Sequence, residues 1–195
     1  EEYKAAALAL VSPGADSLED APARLPFQRA PADAWGPGYS HVWLRADVAE
    51  RYRAVYDEAH AKGAKLTSSG GKRALTAPVT AGRSATSFHY TGRALDLFLY
   101  SGMVNPERDP YVVVREAPLV YRVYARCAEE HAEVRRLEHV VTYRKRQGEL
   151  SADGAYLDLT ALFERQGFRR IRARPSFERG GSEIGAEWWH FQDET

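Results

Sequence analysis

One stretch of the chain carries hydrophobic side chains at helical spacing. The residues at that spacing are Val48, Tyr52, Val55, Tyr56 and Ala59. They predict an amphipathic helix, because they share one face at 3.6 residues per turn. Asp47 is placed to cap its start, with Glu50 three residues on as in a capping box, and Gly63 is placed to end it. A second amphipathic helix is predicted over Leu157–Gln166, with Asp158 near its start.

Alternating apolar and polar residues predict a β-hairpin in the middle of the chain. Its arms are Tyr111–Arg115 and Leu119–Cys127, joined by Glu116-Ala117-Pro118. Cys127 falls on the buried face of the second arm, which favours an inert core thiol over a nucleophile. The charge-rich segment Glu129–Glu138 is predicted to be a helix or loop at the surface. Shorter strands are predicted at Lys65–Ser68, Ala94–Tyr100, His139–Arg144, Phe168–Ala173 and Trp188–Phe191.

These elements indicate a fold class and a domain organisation. Helices and strands do not alternate regularly and a hairpin is present, so we expect an α+β fold with a mainly antiparallel sheet. A chain of 195 residues suits one domain over 1–195. Residues 1–40 are predicted to form an irregular lead-in wrapped on the surface, because 12–40 is rich in Pro, Gly, Ala and Asp. Trp35, Tyr39 and Trp43 are expected to anchor its end on the core.

The N-terminal residues and the charge balance limit the classes of partner. Ala5–Val11 is apolar but short, which favours a structured lead-in over a targeting signal, and nothing in the chain is long enough to span a bilayer. The 27 basic and 27 acidic residues cancel, so no global field draws the protein to nucleic acid or to an anionic membrane. The arginines between Arg165 and Arg174 alternate with apolar residues and favour an amphipathic strand. We therefore expect no nucleic-acid partner and no transmembrane segment.

Two short stretches carry the chemistry. His89 and Asp96 are separated by Gly92, and Glu187 and His190 lie three residues apart near the C-terminus. Gly92 allows the chain to turn, so that His89 and Asp96 converge from adjacent segments. A carboxylate inside so apolar a strand is costly to bury unless it is paired or bound to a metal. A bend before Trp189 would likewise let His190 bind a metal while Glu187 reaches a water molecule.

Each of these residues could instead be a structural side chain that only makes hydrogen bonds. For a single His or Asp, such a structural role is more common than metal binding. This chain has two such pairs, His89 with Asp96 and Glu187 with His190. Their presence together favours one shared site. A catalytic zinc site takes three protein ligands and keeps one open position. His89, Asp96 and His190 are therefore the candidate Zn²⁺ ligands, and Glu187 is the candidate general base.

The two motifs resemble those of a known family. They are Ser87-x-His89-x-x-Gly92-x-Ala94-x-Asp96 and Glu187-Trp188-Trp189-His190. This pattern is similar to that of the zinc D-Ala-D-Ala peptidases of the VanX and VanY type, whose fold is shared with the hedgehog signalling domain. The resemblance implies a small antiparallel sheet flanked by helices, the same three zinc ligands, and Glu187 as the general base.

The resemblance also implies an arginine before the first motif that steadies the carbonyl oxygen of the bond being cut. Arg73, after the Gly70-Gly71 turn, fits that place best, and Arg83 is the competitor. For either arginine the alternative is a solvated loop charge. Ser87 is a candidate for orienting the substrate, or for a local turn hydrogen bond.

The implied activity is a zinc-dependent peptidase that acts next to D-amino acids, in cell-wall peptides or on D-Ala-D-Ala itself. The long stretch between Asp96 and Glu187 departs from the family pattern and leaves the exact substrate open. Two other functions stay open: a binding module that keeps zinc without catalysis, and a zinc enzyme that tailors a peptide-like natural product. A bacterial cell envelope or secreted location is expected, with a cytoplasmic one as the alternative. His131 and His139, in a charged segment, indicate a solvated face more than a second metal site.

Overall fold

The computed structural model describes residues 26–80, 83–99 and 104–194 of the chain. The predicted apolar segment Ala5–Val11 lies outside these residues. Mainly antiparallel sheets with few helices make up the described part, which is compatible with the predicted α+β class. No helix in this part is both long enough and apolar enough to cross a membrane.

The strands and helices follow one another without regular alternation. The strands are β1 Phe27–Pro31, β2 His41–Arg45, β3 Ala94–Asp96, β4 Tyr111–Ala117, β5 Val120–Arg126, β6 Val134–Val141, β7 Leu150–Asp158, β8 Phe168–Arg170 and β9 His190–Asp193. The helices are α1 Ala46–Ala61, α2 Leu159–Arg165 and α3 Pro175–Glu178. Single 3₁₀ turns occupy Phe88–Thr91, Glu129–His131 and Glu183–Ala186.

The strands form three antiparallel groups. β1 pairs with β2, and β9 lies between β3 and β8 in a three-stranded sheet. The other four strands close into a ring in the order β4-β5-β7-β6, with β6 pairing back to β4. The three-stranded sheet is the part that positions the candidate site, since it carries Asp96 and His190.

Helix α1 confirms the predicted amphipathic helix but not its predicted cap. Arg45 is the N-cap and makes no side-chain capping bond, and Asp47 lies inside the first turn, where its carboxylate accepts from Arg45 at 2.6 and 2.7 Å. The predicted capping box is therefore wrong. The buried stripe is Val48, Ala49, Tyr52, Val55 and Ala59. Each large side chain in it contributes about 1.5–3 kcal/mol by leaving water. Gly63, at φ 71°, follows the helix as predicted.

The predicted hairpin is present as β4 and β5. Buried and partly exposed residues alternate along β5, so the predicted two-sided strand is confirmed. Cys127 is a buried free thiol at the end of this strand, and burial raises its pKa, as expected for an inert core cysteine. Helix α2 is shorter than predicted, because Asp158 is its N-cap and accepts from the Ala161 amide at 2.8 Å.

Several strand predictions are wrong in extent. Lys65–Ser68 makes one isolated bridge, from Thr67 to Asp33, and not a strand. The charged segment Glu129–Glu138, predicted as helix or loop, contains the start of β6, and the predicted strand His139–Arg144 overlaps only its end. The reason is that β6 exposes four of its eight residues and partly exposes a fifth, so its charged side chains show no clear alternation. Strand β7 had no counterpart in the sequence prediction.

The lead-in is also more ordered than predicted where it is described. β1 lies within residues 1–40 and pairs with β2 over five residues. Tyr39 and Trp43, predicted to anchor on the core, are 56% and 45% exposed. β2 explains this, since Val42 and Leu44 point into the core and Trp43 lies on the opposite face of the strand.

Candidate metal centre

Two of the predicted ligands face each other across neighbouring strands. Asp96 on β3 is the register partner of His190 on β9. The two residues are 94 positions apart in the chain, and the His190 Nδ1 atom lies 2.9 Å from Asp96 Oδ1. The antiparallel pairing of β3 with β9 therefore brings these two side chains together.

The third predicted ligand comes from a short turn before β3. His89 lies in the 3₁₀ turn Phe88–Thr91, which begins at Ser87, whose Oγ accepts from the His89 amide at 3.4 Å. Gly92 ends the turn at φ 66°, and a Cβ there would lie 2.6 Å from the Phe27 ring and 2.7 Å from the Arg45 amide nitrogen. Only glycine fits this left-handed, crowded position. The predicted role of Gly92 in folding the chain back is confirmed.

The three side chains converge on one point. His89 Nε2 lies 3.2 Å from Asp96 Oδ2, and the two imidazole centroids are 5.1 Å apart. One ligand atom from each of His89, Asp96 and His190 lies within 4.8 Å of the others. This triad could hold a metal ion. In the part of the chain that the structure describes, no other such group of three is found, and His131 and His139 belong to none.

Each histidine uses its other nitrogen to fix its orientation. His89 Nδ1 donates to the Gly71 carbonyl oxygen, with 2.6 Å between the heavy atoms, which leaves Nε2 to face Asp96. His190 Nε2 lies 3.1 Å from Gln192 Oε1, which leaves Nδ1 toward Asp96. Such outer hydrogen bonds are typical of histidines that bind metals, because they fix the tautomer and the ring orientation.

Opposing effects set the charge of the triad. Burial acts to raise the pKa of Asp96, but the charge of His89 and hydrogen bonds from both imidazoles outweigh it and hold the pKa well below its usual range. Burial acts to lower the pKa of His190, but its hydrogen bond to Asp96 and the negative charge of Asp96 outweigh that effect, and the pKa is raised. Asp96 is therefore an ionised carboxylate, the form in which it can bind a cation.

Glu187 lies beside the triad and not within it. It adopts a left-handed backbone at φ 55°, directly after the 3₁₀ turn Glu183–Ala186, and its carbonyl accepts from the His190 amide at 3.1 Å. This is the bend that the sequence required before Trp189. The Glu187 carboxylate is 12% exposed and pairs with Arg174, whose Nε and Nη2 atoms lie 2.9 and 2.8 Å from Oε1.

The triad and Glu187 line one cleft of about 690 Å³. Both candidate arginines, Arg73 and Arg83, line it as well. Arg73 is the better placed of the two, because its Nη1 donates to Ser87 Oγ at 3.2 Å and its guanidinium lies 5.6 Å from the Tyr90 ring centroid. Ser87 thus contacts both the candidate arginine and the turn that carries a ligand.

Three residues at the site were missed by the sequence analysis. Gln192 had a signal, since it lies two positions after His190 and shares its strand face. Gly71 was seen only as part of a turn, and a Cβ there would lie 2.4 Å from the Trp43 carbonyl oxygen. Arg174 was grouped with the basic run, four members of which pair with separate carboxylates, while Arg172 donates to the Pro118 carbonyl oxygen. Those pairs are Arg165–Glu58, Arg169–Glu194, Arg170–Glu116 and Arg174–Glu187.

Comparisons with known proteins add no relative. No family model, curated protein or solved structure matches the chain. The two motifs and the geometry of the cleft are therefore the features of this chain that bear on its function. Both concern the same few side chains, His89, Asp96, Glu187 and His190.

Proposed function

We propose that this protein is a zinc-dependent peptidase that cuts a peptide bond next to a D-amino acid. The single observation that carries the proposal is the convergence of His89, Asp96 and His190 on one point, in a cleft that Glu187 also lines. The D-amino acid, the cell-wall source and the hedgehog/DD-peptidase fold come from the motif resemblance. These three parts of the proposal are supported by the motifs alone.

The donor set favours zinc over harder cations. Two imidazole nitrogens and one carboxylate oxygen match catalytic zinc sites with three protein ligands, whereas magnesium and calcium prefer oxygen ligands alone. The outer hydrogen bonds to Gly71 and Gln192 fit the same interpretation, since they prepare both imidazoles as ligands. Asp96 is 21% exposed, so the site is open toward the cleft, where a substrate could enter.

When bound, the zinc ion would supply Lewis acidity, which lowers the pKa of water and polarises a carbonyl group. The carboxylate of Glu187 accepts a proton from the attacking water molecule, while the water oxygen forms a bond to the substrate carbonyl carbon. Glu187 then returns that proton to the departing amine nitrogen as the C–N bond breaks. Arg73 donates a hydrogen bond to the carbonyl oxygen as negative charge develops there, a contribution worth about 3 kcal/mol.

Arg174 has a supporting part in this scheme. Its two hydrogen-bond donors hold one oxygen of Glu187, Oε1, against the wall of the cleft. The second carboxylate oxygen is then the one directed to proton transfer. A charged partner at this distance restricts the rotamer of the Glu187 carboxylate. The carboxylate therefore loses less conformational freedom when it reaches the geometry needed for proton transfer.

The test separates metal binding from catalysis. We expect Glu187→Gln to keep stoichiometric zinc yet lose about 10²–10⁴ in kcat, because the proton acceptor is removed while the ligands stay. His190→Ala should lose both zinc and activity. Zinc content is measured by elemental analysis, and hydrolysis is measured on D-Ala-D-Ala and on peptides that end in it, with L-Ala-L-Ala as the stereochemical control.

His131→Ala is the matched control, since His131 is an exposed histidine outside the triad. It should retain both zinc and activity. Full turnover by Glu187→Gln would remove Glu187 as the base. Zinc binding without cleavage of any peptide would instead favour a binding module.

A further inference from the structure

The candidate metal ligands lie where two clefts meet. The larger cleft, of about 690 Å³, extends toward Ile171, Arg174 and Ile184, and is called the arginine cleft. A second cleft of about 420 Å³ extends toward Tyr39, His41 and Trp43, and is called the aromatic cleft. The residues that line both are Arg73, Arg83, His89 and Asp96. A bond held at the triad is therefore flanked by a surface on each side.

The aromatic cleft carries an exposed row of rings. The centroids of Tyr39 and His41 are 6.2 Å apart, and those of His41 and Trp43 are 6.5 Å apart. His41 and Trp43 share the outer face of β2, and Tyr39 continues the row beyond the start of the strand. Large rings left in water next to one another mark interaction sites more often than scattered single residues do. Tyr and Trp also supply contact area at a low entropic cost.

The charges around the aromatic cleft favour an acidic ligand. Its cationic side chains are Lys72, Arg73 and Arg83, and Asp96 is the acidic residue among those that line it. Asp96 is already committed to the two imidazoles of the triad. Lys72 Nζ lies 4.0 Å from the Phe27 ring centroid, so its charge is held at the edge of the aromatic surface. A carboxylate placed here would meet several cations.

We propose that the substrate is a peptide chain that runs through both clefts, with a carboxylate-bearing segment on the Tyr39–Trp43 side, and is not a free dipeptide. This inference rests on the proposed function. The arginine cleft alone is within the size range that encloses a small ligand. A dipeptide centred on the triad would leave the row of rings in water. A longer chain covers the rings and gains contacts on both sides of the bond to be cut.

The test measures binding apart from cleavage. Zinc-loaded Glu187→Gln is titrated calorimetrically with three probes: D-Ala-D-Ala, a pentapeptide that ends in D-Ala-D-Ala and carries a glutamate upstream, and the same pentapeptide with glutamine. We expect the acidic pentapeptide to bind at least about tenfold tighter than the dipeptide, the gain typical of one well-packed aromatic anchor. The glutamine pentapeptide should fall between the two.

Variants of the aromatic cleft then show which side chains cause the tighter binding of the acidic pentapeptide. Tyr39→Ala combined with Trp43→Ala should remove the preference for the long peptide, and Lys72→Ala should remove the preference for glutamate over glutamine. Val134→Ala is the control, because Val134 is 60% exposed on β6 and lines neither cleft. Thermal melting checks that each variant is folded.

The outcomes separate the two proposals. Equal affinity for dipeptide and pentapeptide, or a preference that survives the loss of both rings, overturns the inference. If the wild-type enzyme still cuts D-Ala-D-Ala in that case, the proposed function stands without it. Failure to bind or cut any of the three probes overturns both.

Discussion

The two ends of β9 lie beside two carboxylates, Asp96 of β3 and Asp193 of β9 itself, which have different kinds of partner. At one end Asp96 contacts the imidazoles of His89 and His190. At the other end Asp193, which is 0% exposed, lies 2.8 Å from Arg51, 3.4 Å from Arg45 and 3.6 Å from Arg93. Both residues belong to the same three-stranded sheet, but Asp96 is 21% exposed and has imidazole partners, whereas Asp193 is buried and has guanidinium partners.

The difference in partners separates a structural site from a candidate functional one. Guanidinium groups do not lose their protons, so the cluster around Asp193 keeps its charge at all working pH values. An imidazole can give up its proton and offer a lone pair to a metal ion. The end of β9 that carries His190 can therefore exchange protons for a cation. The arginines around Asp193 keep their protons, so that end cannot bind a cation in their place.

The largest expected effect comes from removing the charge of Asp193. Asp193→Asn should lower the free energy of unfolding by about 3 kcal/mol, since three cations would remain around a neutral side chain. In metal-free protein Asp96→Asn should cost less than Asp193→Asn does, because the two imidazoles can lose their protons when the carboxylate charge is removed, whereas guanidinium groups cannot. Urea unfolding at constant pH with a chelator present measures both.

An exposed ion pair shows how small the stability effect of a charge removal can be. Arg165 and Glu58 are 55% and 42% exposed, and Glu58→Gln should change the stability by less than about 1 kcal/mol. If Asp96→Asn destabilises the metal-free protein as much as Asp193→Asn does, the proposed contrast between the two ends is wrong.

The second effect is stabilisation by zinc, which should act at one end only. Free zinc at a hundred times its dissociation constant should add about 2.7 kcal/mol to the wild-type free energy of unfolding. Asp193→Asn should show the same increment from its lower baseline, since its triad is intact. Asp96→Ala should show none. Urea unfolding with and without zinc checks this, and an equal gain in Asp96→Ala would place the metal elsewhere.

A third effect, on zinc affinity, concerns Gln192, which lies between the two ends of β9. Gln192→Ala should weaken zinc binding by about 10–100-fold, because it removes the partner that orients His190. Its own side-chain donor reaches Glu194 Oε1 at 2.8 Å, so Glu194→Ala should have a smaller effect in the same direction. Competition with a chromophoric chelator gives both affinities. A larger effect from Glu194 than from Gln192 would contradict this order.

The sequence predicted the convergence of His89, Asp96 and His190 better than it predicted the strands around them. Asp96 stood out because a carboxylate in an apolar run requires a partner, and Gly92 stood out because a turn there requires a left-handed residue. The start of β6 was missed because its exposed and charged side chains show no clear alternation. The exposure of Tyr39 and Trp43 was missed because the chemistry of a ring does not say whether it faces the core or a cleft.

The sequence by itself determined which side chains could bind a metal, where the chain turns, and which stretch forms the long helix. These properties depend on the chemistry of single residues and on neighbours within a few positions. Only the tertiary structure decided that Asp96 faces His190, that Arg174 holds Glu187, and that two clefts meet at the triad. Strand register and burial arise from contacts between distant segments, such as the 94 positions that separate Asp96 from His190.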